Sequence, residues 1–278
     1  MFILKKAEEI SQQAILASHM TPIQVENQRI DQAGTNYLVR VAKSLGAKST
    51  ASNSTKGRNP FLPYEEELFV SRLGLDHVCL LNKYPVIANH LLVITRQFEP
   101  QESLLTLNDF TAMAELLRQA DGLMFYNSGI DAGASQAHKH MQWVPRYLDE
   151  QHEQLPLEPG AKPLPFPHCW FALDRLDASA IYALYQQGLA TLQWREGLAY
   201  NLLFTRQWLM LVPRCQAAWQ QISLNSLAFV GSFFVKDEGQ ANQLRQCGFA
   251  QALAAVSGWP ATNPQGNIAT HVRPTLVK

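Results

Sequence analysis

Residues 126–142 read YNSGIDAGASQAHKHMQ, and the alternation at their end restricts the possible folds more than any other feature of the chain. Side chains two apart in a strand share a face. A strand over 138–144 therefore puts His138, His140 and Gln142 on one side and Lys139, Met141 and Trp143 on the other. Met141 and Trp143 suit a buried face, and the polar trio then lines a cleft. The small-residue loop 128–137 comes directly before, and its backbone amides can approach an anion closely. Two imidazoles, an amide and an anion-cradling loop are the parts for chemistry on a phosphate. Two His at this spacing also arise by chance in a chain with eight, or sit on a solvated strand face. The Gly/Ser loop, the following Gln and the apolar opposite face weigh against those readings.

Composition excludes several classes. At 278 residues the chain is long enough for one large domain or two modest ones. Formal net charge is +0, so the molecule is no polycation and non-specific nucleic-acid binding is not expected. An anionic ligand then needs a local basic cluster. No apolar run approaches a membrane span. The N-terminal MFILKKAEEISQQAIL lacks a signal-peptide layout because charges interrupt it at once. Its Ile3, Leu4, Ala7, Ile10, Ala14 and Ile15 fall near helical spacing instead. Cys79, Cys169, Cys215 and Cys247 form no Cys-x-x-Cys pair, so neither a disulfide framework nor a thiolate zinc site is expected. A reducing, cytoplasmic setting fits that usage.

The stretch AKSLGAKSTASNSTKGRN, from Ala42 onward, reads as a flexible loop. Strands are predicted at 68–73, 77–82 and 91–95 from short Val-, Leu- and Ile-rich runs bounded by Gly, Asp or Pro. A helix starts at Thr106, carries Phe110, Met113, Ala114, Leu117 and Ala120, and ends at Gly122. Residues 123–126 and 138–144 are expected to pair antiparallel. The Pro-rich stretch 151–168 is a long crossing loop. Asp177 caps a helix bearing Ile181, Leu184, Tyr185, Leu189 and Leu192. Strands at 200–205 and 209–212 follow, then one at 229–235 and a closing helix at 240–256. Antiparallel strands with separate helices indicate an α+β fold.

Several separated strings together resemble one family, the diadenosine tetraphosphate phosphorylases, or ATP adenylyltransferases, of the histidine triad superfamily. They are Lys56-x-x-Asn59-Pro60-Phe61, Leu80-Leu81-Asn82-Lys83, His90 through Thr95, Asn127-Ser128-Gly129, Gly133-Ala134-Ser135-Gln136-x-His138-Lys139-His140-x-Gln142, Asn201-Leu202-Leu203, Leu211-Val212-Pro213-Arg214 and Val235-Lys236. A single His-x-His is weak evidence, but this ordered set is specific. The resemblance implies a mainly antiparallel mixed sheet with flanking helices, in a single catalytic domain over 1–278. Residues 1–150 hold the motif, and residues 151–278 complete the nucleotide site. It implies phosphorolysis of diadenosine tetraphosphate to ATP and ADP, with His140 as nucleophile and Gln142 bonded to the reacting phosphate region. Asn127 and the Gly133, Ala134, Ser135 and Gln136 loop would hold the nucleotide and its α-phosphate. Lys56, Asn82, Lys83 and Lys236 would contact the ligand, and Asn225, Ser226 and Leu227 would complete the site. Ser232 is also placed in the site, where the family often has Met.

A neutral imidazole is not repelled by phosphoanhydride oxygens, and with an ordinary pKa of about 6.5 much of it is neutral near pH 7. His140 can then attack phosphorus without a general base, giving an adenylyl-histidine and ping-pong kinetics. His138 is assigned to fixing the ring and tautomer of His140. Arg214 follows a strand and a proline, and either meets phosphate or ends the strand in water. The expected partners are a dinucleoside polyphosphate, ATP, ADP and phosphate, with no nucleic acid and no membrane. The expected assembly is a monomer or homodimer. A divalent ion, Mg or Mn, is expected to accompany the polyphosphate, with no tightly bound protein metal. Two other readings stand beside this one. A zinc-dependent phosphohydrolase would use His138, His140 and His168 or His152 as ligands. A non-catalytic nucleotide sensor would keep the pocket alone.

Overall fold

A computed structural model describes residues 2–43, 59–149, 155–161 and 163–259. Helix α1 (Phe2–Leu16) buries Ile3, Ala7 and Ala14, as its helical spacing predicts. Strands β1 (Val25–Gln32) and β2 (Thr35–Ala42) then form an antiparallel hairpin. Patterning does not foresee it, because β1 reads VENQRIDQ, with no apolar alternation, and lies half-exposed. Next come β3 (Phe69–Leu73), β4 (His77–Leu81) and β5 (Leu91–Thr95). Helix α2 (Leu107–Gln119), β6 (Gly122–Asn127), β7 (His140–Pro145), β8 (Cys169–Ala172) and helix α3 (Ala178–Thr191) follow. The remaining elements are β9 (Ala199–Phe204), β10 (Trp208–Arg214), the short pair β11 (Ala218–Trp219) and β12 (Ile222–Ser223), β13 (Ser232–Val235), α4 (Glu238–Cys247) and α5 (Phe249–Val256).

Eight of these strands form one sheet in the order β3-β4-β5-β7-β6-β9-β10-β8. Every neighbouring pair in it is antiparallel, which makes the fold α+β. Helices α1, α2 and α3 cover one face, packing on Met124, Tyr126, Met141, Trp143, Leu202 and Leu211. Helix α2 is fixed at its start by a reciprocal cap. Thr106 Oγ1 accepts from the Asp109 amide, and the Asp109 carboxylate accepts from the Thr106 amide.

The period of two sends Phe125, His140, Gln142, Val144, Leu203 and Val212 to the other face. That face is covered in two patches. One is built on Phe125, Val144, Leu203 and Val212 by β2, β13 and α5, through Val39, Phe233, Val235 and Leu253. The other is Phe61 with Val78, Leu80, Leu92 and Ile94. Gln142 pairs with Leu92 on one side and Phe125 on the other, so it lies on the seam between the patches.

Several element boundaries differ from the sequence reading. Helix α2 ends at its Ala120 cap, and Gly122 instead opens β6. A Cβ at Gly122 would stand 2.2 Å from Nε1 of Trp143, so the residue is small for packing and not for helix termination. Residues Ser226–Val230 form a 3-10 turn, and the strand expected at 229–235 begins only at Ser232. The closing helix is two helices, because Gly248 has φ +97° and breaks the turn between α4 and α5. The loop expected around 43–59 falls at 44–58 outside the described residues. No helix among the described residues is long and apolar enough to cross a membrane.

Candidate active site

Strand β7 starts at His140 and not at 138. His138 sits just before it, bridged to Pro100, and the two side chains still share one side of the sheet. Their rings meet the Phe61 ring at centroid distances of 5.6 Å for His138 and 5.5 Å for His140. His140 Nδ1–H donates to the main-chain carbonyl of His138 at 2.8 Å. Carbonyls only accept, so the proton is on Nδ1 and the lone pair is on Nε2. Nε2 makes no hydrogen bond to any described residue. Burial pushes the His140 pKa down to about 4; the His138 carbonyl opposes this, and the nearby His138 ring adds to it. The imidazole is therefore neutral near pH 7, with the lone pair on Nε2 unbonded among the described residues.

His138 is held at both ring nitrogens. Nε2–H donates to the carbonyl and Oγ1 of Thr95, each at 2.9 Å, and Thr95 Oγ1 passes its own proton to the Gln97 carbonyl. Nδ1 accepts from Asn59 Nδ2 at 2.9 Å. Burial holds the His138 pKa below its ordinary value. The tautomer of His140 is thus set by the main chain of His138 and not by its ring.

Gln142 is oriented by a relay the sequence reading missed. Asn82 Nδ2–H donates to His90 Nδ1 at 3.1 Å, and His90 Nε2–H donates to Gln142 Oε1 at 3.0 Å. The Gln142 amide nitrogen is left facing away from its partner. His90 immediately precedes β5, in a string that reads as a buried strand. Its polar role had no local signal.

Asn127, at the end of β6, is fixed the same way. Its Oδ1 accepts from Ser226 Oγ at 2.7 Å, Ser226 N at 3.1 Å and Asn201 Nδ2 at 2.8 Å. Its Nδ2 makes no hydrogen bond to any described residue. Gln101, which is fully buried, joins this residue to His140. Its Nε2 donates to the carbonyls of Asn127 at 2.7 Å and His140 at 3.3 Å, and its Oε1 accepts from His140 N at 2.9 Å. The loop between the two strands turns at Gly133, with φ +91°. A Cβ there would stand 2.8 Å from the Leu224 carbonyl, so only glycine lets this loop lie on the 224–226 segment. Ser135 and Gln136 are exposed at its end, and Ala134 is half-buried.

The other expected site residues divide. Asn225 Oδ1 caps the 3-10 turn through Leu227 N, placing both beside Ser226. Lys83 Nζ pairs with Glu65 at 2.6 Å. Asn82 serves His90, as above. Ser232 is buried, and its Oγ takes a bond from the Arg40 guanidinium, which also reaches the Leu148 carbonyl. Lys236 is exposed beyond β13, and Lys56 lies outside the described residues. Arg214 neither ends a strand in water nor reaches the surface, being 1% exposed beneath the loop. Lys139 is buried on the far face, on Glu99 at 2.6 Å and Asp109 at 3.3 Å.

The zinc reading finds little support in this geometry. Both ring nitrogens of His138 are occupied. Among the described residues no group of three His, Cys, Asp or Glu side chains could hold a metal. His152 lies outside the described residues.

Comparison with known proteins agrees with the motif. Residues 2–162 match the Ap4A phosphorylase N-terminal domain, and residues 162–258 match the ATP adenylyltransferase C-terminal domain. The chain is 28% identical over 291 residues to diadenosine 5',5'''-P1,P4-tetraphosphate phosphorylase 2 of Saccharomyces cerevisiae, covering 83% of this chain and 90% of that protein. Its fold superposes on the crystal structure of yeast Ap4A phosphorylase Apa2 in complex with Ap4A. The TM-score is 0.75 at 25% identity, over 93% of this chain and 98% of the other. The AMP complex of the same yeast enzyme gives a TM-score of 0.74 at 26% identity, with the same coverage. The two family matches together run from residue 2 to residue 258, and the chain belongs to the Ap4A phosphorylase (ATP adenylyltransferase) family.

Proposed function

We propose that the protein phosphorolyses diadenosine tetraphosphate to ATP and ADP, reversibly, through an adenylyl-histidine at His140. The observation that carries this reading is the tautomer of His140. Its proton is committed to the His138 carbonyl, so the lone pair on Nε2 is the reactive one. In the first step Nε2 attacks the α-phosphorus of one adenylate. A P–N bond forms, the P–O bond to the remaining triphosphate breaks, and ATP leaves with that electron pair. The ring then carries a positive charge, which the 2.8 Å bond from Nδ1–H to the carbonyl of His138 eases. In the second step a phosphate oxygen attacks the same phosphorus, the P–N bond breaks, and ADP forms. The imidazole returns to its neutral form.

Charge on the phosphoryl oxygens needs fixed donors, which act most strongly where water is excluded. The amide nitrogens of Asn127 and Gln142 are such donors, each turned by bonds to its own oxygen. In the Gly133–Gln136 loop the amides of Gly133 and Ala134 are taken by the carbonyls of Ile130 and Gly129, so Ser135 and Gln136 are the ones that offer main-chain amides, and Lys236 and Lys56 are assigned to supply positive charge. A divalent ion, Mg or Mn, is assigned to the polyphosphate and not to a protein site. The chain's neutral net charge makes these local cations the source of attraction.

The test is to incubate the pure protein with diadenosine tetraphosphate, with and without phosphate. Phosphate should yield ATP and ADP in equal amounts, and its omission should leave an AMP adduct visible by intact mass. Rapid phosphate-independent release of AMP would replace the phosphorylase reading with a hydrolase.

A further inference from the structure

Arg214 is 1% exposed and ends β10 beneath the loop that follows Asn127. All five of its N–H donors are used, and every acceptor is neutral. Nε donates to the Val256 carbonyl at 3.0 Å. Nη1 donates to the Ala132 carbonyl at 3.1 Å and to Asn201 Oδ1 at 2.6 Å. Nη2 donates to the carbonyls of Gln216 at 2.7 Å and Leu224 at 2.9 Å. No carboxylate lies within ion-pair distance of it among the described residues. Burial lowers its pKa to about 10, which still leaves it charged near neutral pH. A buried cation is normally paired with an anion; here Asp131 acts on the charge from a distance, but no carboxylate bonds to it among the described residues.

The bonds run in one direction. Arg214 donates to the oxygen of Asn201. The nitrogen of Asn201 donates to Asn127 Oδ1 at 2.8 Å and to the Ala132 carbonyl at 2.9 Å. The nitrogen of Asn127 has no partner among the described residues. A cation at the acceptor end of such a chain polarises each amide in turn and strengthens the last donor. We propose that Arg214 is a positioning residue that acts through Asn201 to aim and polarise the Asn127 amide, giving the site a donor selective for the substrate's phosphates. This inference rests on the nucleotide reading of the site above. Arg214 touches no substrate in this role. It holds three segments together through Ala132, Asn201 and Leu224, and leaves its charge to be balanced by the bound polyphosphate.

Asn201→Asp tests it with little change of shape. The new carboxylate neutralises Arg214 and can no longer donate to Asn127, whose amide should turn over and present its oxygen to the phosphates. Calorimetry on the full chain should show ADP affinity falling by roughly tenfold to a hundredfold, the scale of losing a hydrogen bond to a charged group. Adenosine, which has no phosphate, should bind as it does to the wild type. A purely structural role would weaken both ligands alike, and that result, or unchanged ADP affinity, overturns the proposal. Should Asn201→Asp fail to fold, Ser226→Ala removes only one of the three donors to Asn127 Oδ1. It should give a smaller loss for ADP, again sparing adenosine, and wild-type ADP affinity there overturns the proposal. If the wild type binds ADP but makes no ATP and ADP from the dinucleotide, the functional reading fails while this ligand contrast still decides the role of Arg214.

Discussion

The ring of His140 is locked by the main chain of His138, through the 2.8 Å bond from Nδ1 to the carbonyl oxygen. A change of side chain at 138 keeps that carbonyl. His138→Asn should therefore cost about tenfold in kcat, through lost packing against Thr95 and Phe61, while His140→Ala should lose several orders of magnitude. Single-turnover kinetics with intact-mass detection of the adduct compares the two. Equal losses, with no adduct in either, would mean that the His138 ring takes part in the chemistry.

Burial sets the pH dependence. As the proposed nucleophile, His140 must be neutral, and burial brings its folded pKa down to about 4. The acid limb of kcat/KM should accordingly lie near pH 4 and not near the ordinary histidine value of about 6.5. The sign for stability follows from the same shift. Between those two values the unfolded state holds the proton and the folded state does not, so stability contributed by this group falls as pH drops from about 6.5 toward 4. A limb at about pH 6.5 that vanishes in no other variant would place the His140 ring in water.

The orientation of Gln142 depends on His90. In His90→Phe the ring is kept but no donor faces Gln142 Oε1, so the amide is free to turn over. We expect kcat to fall by about tenfold and the melting temperature to change little, since Asn82 and Gln142 can find water at the seam. Gln142→Ala should then add almost nothing to His90→Phe, because both remove the same donor. Fully additive effects would separate the two residues.

Gln101 joins His140 to Asn127 through three bonds in a fully buried position. Gln101→Leu fills the space but orphans the His140 amide, while the Asn127 carbonyl keeps the Gly129 amide at 2.9 Å. The expected cost is about 1–3 kcal/mol for the orphaned group, read as a lower urea midpoint with unchanged slope. Unaltered stability would show that water replaces the side chain there.

How much of this was legible beforehand follows from the range of each interaction. The strand holding His140 and Gln142, the Thr106 cap and the Asp177 cap are written in neighbouring residues, where a period of two or a spacing of three is a local rule. The same rules failed where geometry broke the pattern. Gly248 interrupts an apolar repeat that reads as one helix, and β1 is a half-exposed edge strand with nothing to alternate. The motif strings pointed to the family because they keep chemistry and order together. Which groups orient the reacting ones was decided only by the tertiary structure. Asn127 meets Ser226 across 99 residues, Arg214 meets Ala132 across 82, and His90 meets Gln142 across 52. A hydrogen bond is set within a few tenths of an ångström, and no local pattern in the chain encodes that placement. Local pattern sufficed for most strands of the eight-stranded sheet and for the residue types of the motif, whereas packing across the seam decided the tautomer of His140, the direction of each amide and the neutral acceptors around Arg214.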